Sequence, residues 1–81
     1  MEDLKKIISR VLNIDINKIT DGLSREKTEE WDSFNHLLLI SEIEKEMNIK
    51  FTMSEVEKIN DFKGLAETIN KKLNGNKNER V

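Results

Sequence analysis

The sequence has no cysteine, no proline and a single histidine among its 81 residues. Without cysteine, the chain can form neither disulfides nor thiolate metal sites. One histidine excludes a metal site built from several histidines of the same chain. A domain this small would need a metal, a disulfide or an oligomer to enclose an active site. The composition therefore favours a small domain without a metal centre and without catalytic machinery.

The sequence also lacks a long apolar run and a marked excess of either charge. Its formal net charge is −2, and its lysine and glutamate residues are interleaved, whereas proteins that bind nucleic acids usually present a basic patch. No apolar run approaches the length of a membrane span. Residues 1–10 do not contain the uninterrupted apolar stretch of a signal peptide. We expect a cytoplasmic monomer that neither binds nucleic acid nor spans a membrane.

Helical spacing of apolar residues is the main structural signal in the sequence. The first segment, at about residues 2–13, has the spacing of an amphipathic helix. Its apolar face consists of Leu4, Ile7, Ile8, Val11 and Leu12. The connection at 13–32 alternates apolar and polar residues at Ile14 and Ile16, which is compatible with a short strand. The turn signal around Gly22 and the lack of a partner strand favour an ordered loop that buries its isoleucines.

The second predicted helix runs from about Ser33 to Asn48, with Asp32 as its N-cap. It carries two apolar stripes, one of His36, Leu39, Ile40, Ile43 and Met47, the other of Phe34, Leu37, Leu38 and Ser41. Thr52 and Glu55 form a capping-box pattern that introduces a short third helix. A last helix follows Asn60 or Asp61 and continues to Leu73. These elements predict an all-α four-helix bundle in residues 1–73, with a flexible tail at 74–81.

The stretch from Glu30 to Phe34, Glu-Trp-Asp-Ser-Phe, resembles the signature of the acyl carrier and peptidyl carrier protein family. In that signature a loop ends in Asp-Ser-Leu at the start of the second helix, so Phe34 stands in the place of leucine. The resemblance covers about residues 1–73. It implies a carrier, not an enzyme, with 4′-phosphopantetheine bound covalently to Ser33. It further implies three kinds of partner: a phosphopantetheinyl transferase, an acyl- or aminoacyl-activating ligase, and downstream acyl-processing enzymes.

The second apolar stripe has two possible explanations, since a helix in a small bundle usually buries one face. The long loop could cover it with Ile16 or Leu23. Alternatively, it is an exposed docking surface for partner enzymes. The candidate partner-binding residues are Asp32, Phe34, Leu37, Leu38 and Glu44.

The charge of the second helix bears on the pathway. Carriers of fatty acid synthesis have an acidic second helix, with acids expected near Asn35 and Leu38. Neither residue is acidic here, and Lys45 interrupts the remaining acids. The Trp-Asp-Ser form is similar to that of stand-alone carriers in specialised pathways, which transfer activated amino acids or unusual acyl groups. We therefore expect a specialised pathway instead of general fatty acid synthesis.

Two rival functions are possible from the sequence. Ser33 and His36, three residues apart on a helix, could be the nucleophile and base of a hydrolase, although no glycine-rich elbow or third catalytic group accompanies them. Alternatively, the same fold could be an interaction module without a prosthetic group. We expect His36 to be a partly buried structural residue, and Trp31 to pack the loop against the helix end instead of contacting partners.

Overall fold

The structure, a computed structural model, describes the backbone of residues 2–78 and the side chains of residues 2–74. Four α-helices follow one another: α1 (Glu2–Leu12), α2 (Ser33–Met47), α3 (Met53–Lys58) and α4 (Phe62–Asn78). The predicted all-α four-helix bundle is confirmed. None of these described helices is both long enough and apolar enough to cross a membrane.

The ends of α2 are fixed by local hydrogen bonds. The Asp32 side chain accepts a hydrogen bond from the backbone N–H of Asn35 at 2.8 Å, so Asp32 is the predicted N-cap. At the other end, Asn48 adopts a left-handed conformation with a φ of 57°, which asparagine tolerates better than most residues. Its N–H donates to the carbonyl of Glu44 and ends the helix.

Both shorter connections place a polar cap before the next helix. Thr52 Oγ1 accepts from the N–H of Glu55 at 3.1 Å, and Glu55 Oε1 accepts from the N–H of Thr52 at 2.8 Å. The predicted capping box before α3 is therefore present. Asp61 Oδ1 accepts from the N–H of Gly64 at 2.7 Å, which identifies Asp61 as the residue that caps α4.

A single hydrophobic core joins the helices and the long loop. It consists of Leu4, Ile7, Ile8, Leu12, Ile19, Trp31, Leu39, Ile40, Ile43, Ile49, Val56, Ile59, Phe62, Leu65 and Ile69. The first predicted stripe of α2 therefore faces inward. Burial of this apolar surface is the main force that holds the helices together.

The connection at 13–32 is the loop that the sequence predicts. It contains a short 3₁₀ turn, Ile16–Lys18, and it buries Ile19 in the core. Its second half is joined to the start of α4, since the N–H of Phe62 donates to the carbonyl of Leu23 at 2.9 Å and an isolated antiparallel bridge pairs Ser24 with Asp61. These bonds hold the loop against the end of the bundle where α2 begins.

The last helix is longer than the sequence pattern indicates. Its backbone stays helical to Asn78, five residues beyond the last apolar position of the predicted helix, and no proline is present to interrupt it. Residues 79–81 of the predicted flexible tail lie outside the described part of the chain. The flexibility of the segment 74–81 stays a prediction.

Candidate functional site

Ser33 is the first residue of α2, and its side chain is exposed to solvent. The loop before it is tied to the helix, because Asn35 Nδ2 donates to the carbonyl of Glu30 at 2.8 Å. The Ser33 hydroxyl is thus presented on a fixed turn where another molecule can reach it. A helix N-terminus stabilises a negative group by about 0.3–1 kcal/mol at an exposed position.

A buried hydrogen-bonded pair lies directly under this turn. Trp31 is 1% exposed and His36 is 4% exposed. Trp31 Nε1 donates to His36 Nδ1 at 3.0 Å, and His36 Nε2 lies 2.8 Å from the carbonyl oxygen of Val56. Because an indole N–H can only donate, Nδ1 is the acceptor and Nε2 carries the proton. The pair therefore joins the loop, α2 and α3 through a neutral histidine.

This pair decides between the two roles that the sequence leaves open for His36. Both ring nitrogens are engaged, one by Trp31 and the other by Val56. Neither is available to take a proton from Ser33, so the hydrolase interpretation fails on geometry. The predictions that His36 is a structural residue and that Trp31 packs the loop against the helix are confirmed.

The surroundings of His36 favour its neutral form. Burial lowers the pKa of His36, the hydrogen bond to the Val56 carbonyl opposes this shift, and the positive charge of Arg25 adds to it. Protonation would also place an N–H on Nδ1, facing the N–H of Trp31. The charged form is therefore disfavoured by desolvation and by the loss of the hydrogen bond from Trp31.

This lowered pKa predicts a loss of stability in mild acid. The unfolded chain takes up a proton on His36 as the pH falls below about 6.5, before the folded chain does. The free energy of unfolding should therefore fall from pH 7.5 towards pH 5 and level off below the folded-state pKa. Urea unfolding followed by circular dichroism measures it. Because His36 is the only histidine, a His36→Gln variant should show a weaker dependence in this range, and an equal dependence would contradict the assignment.

An open groove of about 330 Å³ lies beside Ser33. Its walls come from three parts of the chain: Ser33 and Leu37 of α2, Val56 and Glu57 of α3, and Arg25 of the long loop. The sequence pattern did not point to Arg25, because the loop reaches this groove only through its bonds to the start of α4.

Four large apolar side chains of α2 and α3 are exposed. Phe34 is 75% exposed, Leu37 57%, Leu38 41% and Met53 67%. We call these four residues the apolar patch. Leu37 and Leu38 are three and four positions after Phe34, so each neighbours Phe34 on the surface of α2. Met53 of α3 lines the same groove as Leu37.

The second apolar stripe of α2 is exposed and is not covered by the long loop. Ile16 and Leu23 pack against the core instead, so the loop leaves Phe34, Leu37 and Leu38 exposed. Met53 was not predicted. The sequence feature that could have indicated an exposed Met53 is its position as the first residue of the short helix α3, directly after the N-cap Thr52.

The acids of α2 lie away from Ser33 and have partners within the chain. Glu44 is eleven positions further along the helix, about 16 Å by helical rise, and its Oε2 accepts from the N–H of Phe51 at 2.8 Å. Arg10 of α1 forms ion pairs with Glu42, at 3.2 Å, and with Glu46. A partner-binding role for Asp32 and Glu44 stays a prediction.

The chain is similar to known carrier proteins in sequence and in fold. It is 36% identical over 69 residues to the acyl carrier protein of Buchnera aphidicola subsp. Schizaphis graminum (strain Sg), covering 85% of this chain and 87% of that protein. The solution NMR structure of holo acyl carrier protein from Geobacter metallireducens superposes with a TM-score of 0.83 at 31% identity, covering 99% of this chain and 91% of that one. No protein-family model matches the chain.

These similarities, together with the fold, define the class of protein. The chain belongs to the acyl carrier protein family. Members of this family carry acyl groups and are not enzymes, which agrees with the engaged histidine next to Ser33.

Proposed function

We propose that Ser33 carries 4′-phosphopantetheine and that the chain holds acyl or aminoacyl intermediates on this arm for partner enzymes. The observation that supports this proposal most directly is the exposed hydroxyl at the first position of α2. The groove beside it offers room for the start of an arm. When bound, the arm supplies a terminal thiol that holds the acyl group as a thioester, a thiol that this chain, without cysteine, does not have.

The residues around Ser33 fit a phosphodiester. Asp32 caps α2 and so fixes the first turn, where the backbone N–H groups of a helix favour an anion. The Trp31–His36 pair supports this turn from below. The surface is therefore organised in advance for a phosphopantetheinyl transferase. An acyl- or aminoacyl-activating ligase and acyl-processing enzymes complete the proposed partners, with a cytoplasmic location as a prediction from the sequence.

Intact mass spectrometry tests the attachment. Incubation with coenzyme A and a broad-specificity phosphopantetheinyl transferase should add one phosphopantetheine unit to the purified chain. Ser33→Ala should remove this addition completely because it removes the only atom to which the arm is bonded. Ser41→Ala is the matched control, as Ser41 is also exposed on α2. An unmodified wild-type chain, or a modified Ser33→Ala variant, would refute the proposal.

The apolar patch supports a role in docking. Leu37 of α2 and Met53 of α3 line the groove that contains Ser33, and Phe34 and Leu38 are further exposed apolar residues of α2. A partner enzyme that binds over the groove at Ser33 would contact Leu37 and Met53. Weak, rapidly released docking needs only a small contact area, which an apolar patch of four residues can supply.

A specialised pathway is the finer part of the proposal. Two of the acids that remain on α2, Glu42 and Glu46, are paired with Arg10, and position 38 is leucine within the apolar patch. The surface therefore offers a basic partner less unpaired negative charge than an acidic second helix would. Intact mass analysis of the carrier from its native host tests this proposal. Cargo consisting only of elongating fatty acyl chains would contradict it.

A further inference from the structure

Arg25 is held in place on the wall of the groove that contains Ser33. Its backbone N–H donates to the carbonyl of Asn60 at 2.8 Å, and its Nε–H donates to the carbonyl of Trp31 at 3.5 Å. The first bond fixes the loop, and the second directs the side chain towards the residues before α2. The guanidinium is therefore part of the groove and is only partly exposed.

The guanidinium of Arg25 has no carboxylate partner among the described side chains. The ion pairs there are formed by Arg10 and Lys72. Glu57 lines the same groove but is not within ion-pair distance of Arg25. An arginine has five N–H donors in a planar fork that suits phosphate oxygens. Of these, only Nε–H is used within the described structure, so the Nη groups are available to an anion.

The charges around Ser33 explain why a cation is needed there. Glu29, Glu30 and Asp32 precede Ser33 and are exposed, so a phosphodiester on Ser33 adds a further negative charge to an acidic stretch. The phosphate would be bonded directly to Ser33 Oγ, on the wall of the groove, whereas the cargo would be at the far end of a long arm. Because Arg25 and Ser33 line the same groove, the phosphodiester would lie nearer to Arg25 than the cargo does.

We infer that the guanidinium of Arg25 binds the phosphodiester of the arm on Ser33 and keeps the first part of the arm in the groove between α2 and α3. This inference rests on the proposed function. It makes Arg25 a positioning residue for the prosthetic group, one that opposes the repulsion from the acids before Ser33.

NMR of the apo and holo forms tests the inference without measuring the activity of the carrier. The chain has three arginines, so the Arg25 Nε–H signal can be assigned through bonds. We expect this signal to move when the arm is attached, while that of Arg10, which is paired with Glu42 and Glu46, stays in place. Added salt should return the Arg25 signal towards its apo position. An Arg25 signal that is identical in the two forms would overturn the inference.

The phosphorus signal of the holo form provides the second readout. The ³¹P chemical shift should change in Arg25→Gln and stay at the wild-type value in Lys27→Gln, which removes an exposed cation from the same loop. Equal shifts in the two variants would contradict the inference. Intact mass separates failure of the proposed function from failure of this inference. A chain that does not gain the phosphopantetheine mass refutes the proposed function. A modified chain in which the Arg25 Nε–H signal does not move refutes only the contact between Arg25 and the phosphodiester. If Arg25→Gln does not fold, the Arg25 Nε–H signals of the apo and holo wild-type chain still test the inference.

Discussion

Trp31→Ala is expected to lower the free energy of unfolding by about 3–5 kcal/mol, the usual cost of truncating a buried tryptophan. Trp31 is one of the largest fully buried side chains, and its loss also leaves His36 Nδ1 without its donor. Domains of this kind are stable by only about 5–15 kcal/mol, so the variant should be partly or largely unfolded at 37 °C. Urea unfolding measures the change. Circular dichroism is the suitable signal, because this variant has lost the only tryptophan and therefore its tryptophan fluorescence.

Two further variants separate packing from the hydrogen bond. Trp31→Phe keeps an aromatic ring but removes the indole N–H, which leaves a buried acceptor on His36 at a cost of about 1–3 kcal/mol. Phe34→Ala removes an aromatic ring from the exposed start of α2 and should change the stability by no more than about 0.5 kcal/mol. If Phe34→Ala destabilised the domain as much as Trp31→Ala, the assignment of Trp31 to the core and Phe34 to the surface would be wrong.

The features that the sequence predicted well are the local ones. The caps of α2 and α3 each depend on residues three positions apart, Asp32 with Asn35 and Thr52 with Glu55. Such bonds are encoded within one helical turn. The stretch from Glu30 to Phe34 that carries the family resemblance is also local, and the family it indicates is confirmed, whereas attachment at Ser33 stays a prediction.

The features that the sequence did not predict depend on contacts between distant segments. Arg10 meets Glu42 and Glu46 only because α1 packs against α2. Arg25 reaches the groove only because the loop is bonded to Asn60 and Phe62, in the connection before α4 and at its first residue. Neither contact leaves a periodic pattern in the sequence, and each follows from how the helices pack rather than from helix propensity.

The apolar stripe of α2 shows how a sequence pattern can leave two outcomes open. Loop residues such as Leu23 were as suitable for covering the second stripe as for packing on the core. The hydrogen bond from the N–H of Phe62 to the carbonyl of Leu23 decides the matter, because it draws the loop towards α4. Leu37 and Leu38 are left exposed. The position of the loop near α4 therefore leaves the apolar patch exposed.

Leu37→Asp is expected to lower the kcat/KM of a phosphopantetheinyl transferase for the chain by more than about tenfold. Replacing a hot-spot residue of an interface costs about 2 kcal/mol or more, and each 1.4 kcal/mol is a factor of about ten. An aspartate would also bring an unpaired charge into a contact that excludes water. Because Leu37 is 57% exposed, the helical signal and the stability of the free carrier should be nearly unchanged.

Asn70→Asp is the matched control for Leu37→Asp. It adds the same charge at an exposed position of α4, outside the apolar patch, and should change the kcat/KM by less than about threefold, since exposed charges are screened at physiological salt. Equal losses in both variants would mean that net charge, not the apolar patch, controls recognition. Loss of the helical signal in Leu37→Asp would instead place Leu37 in the core. A selective loss in a folded Leu37→Asp variant is the outcome that assigns docking to the apolar patch, since both variants add one negative charge and only Leu37→Asp removes a side chain of the patch.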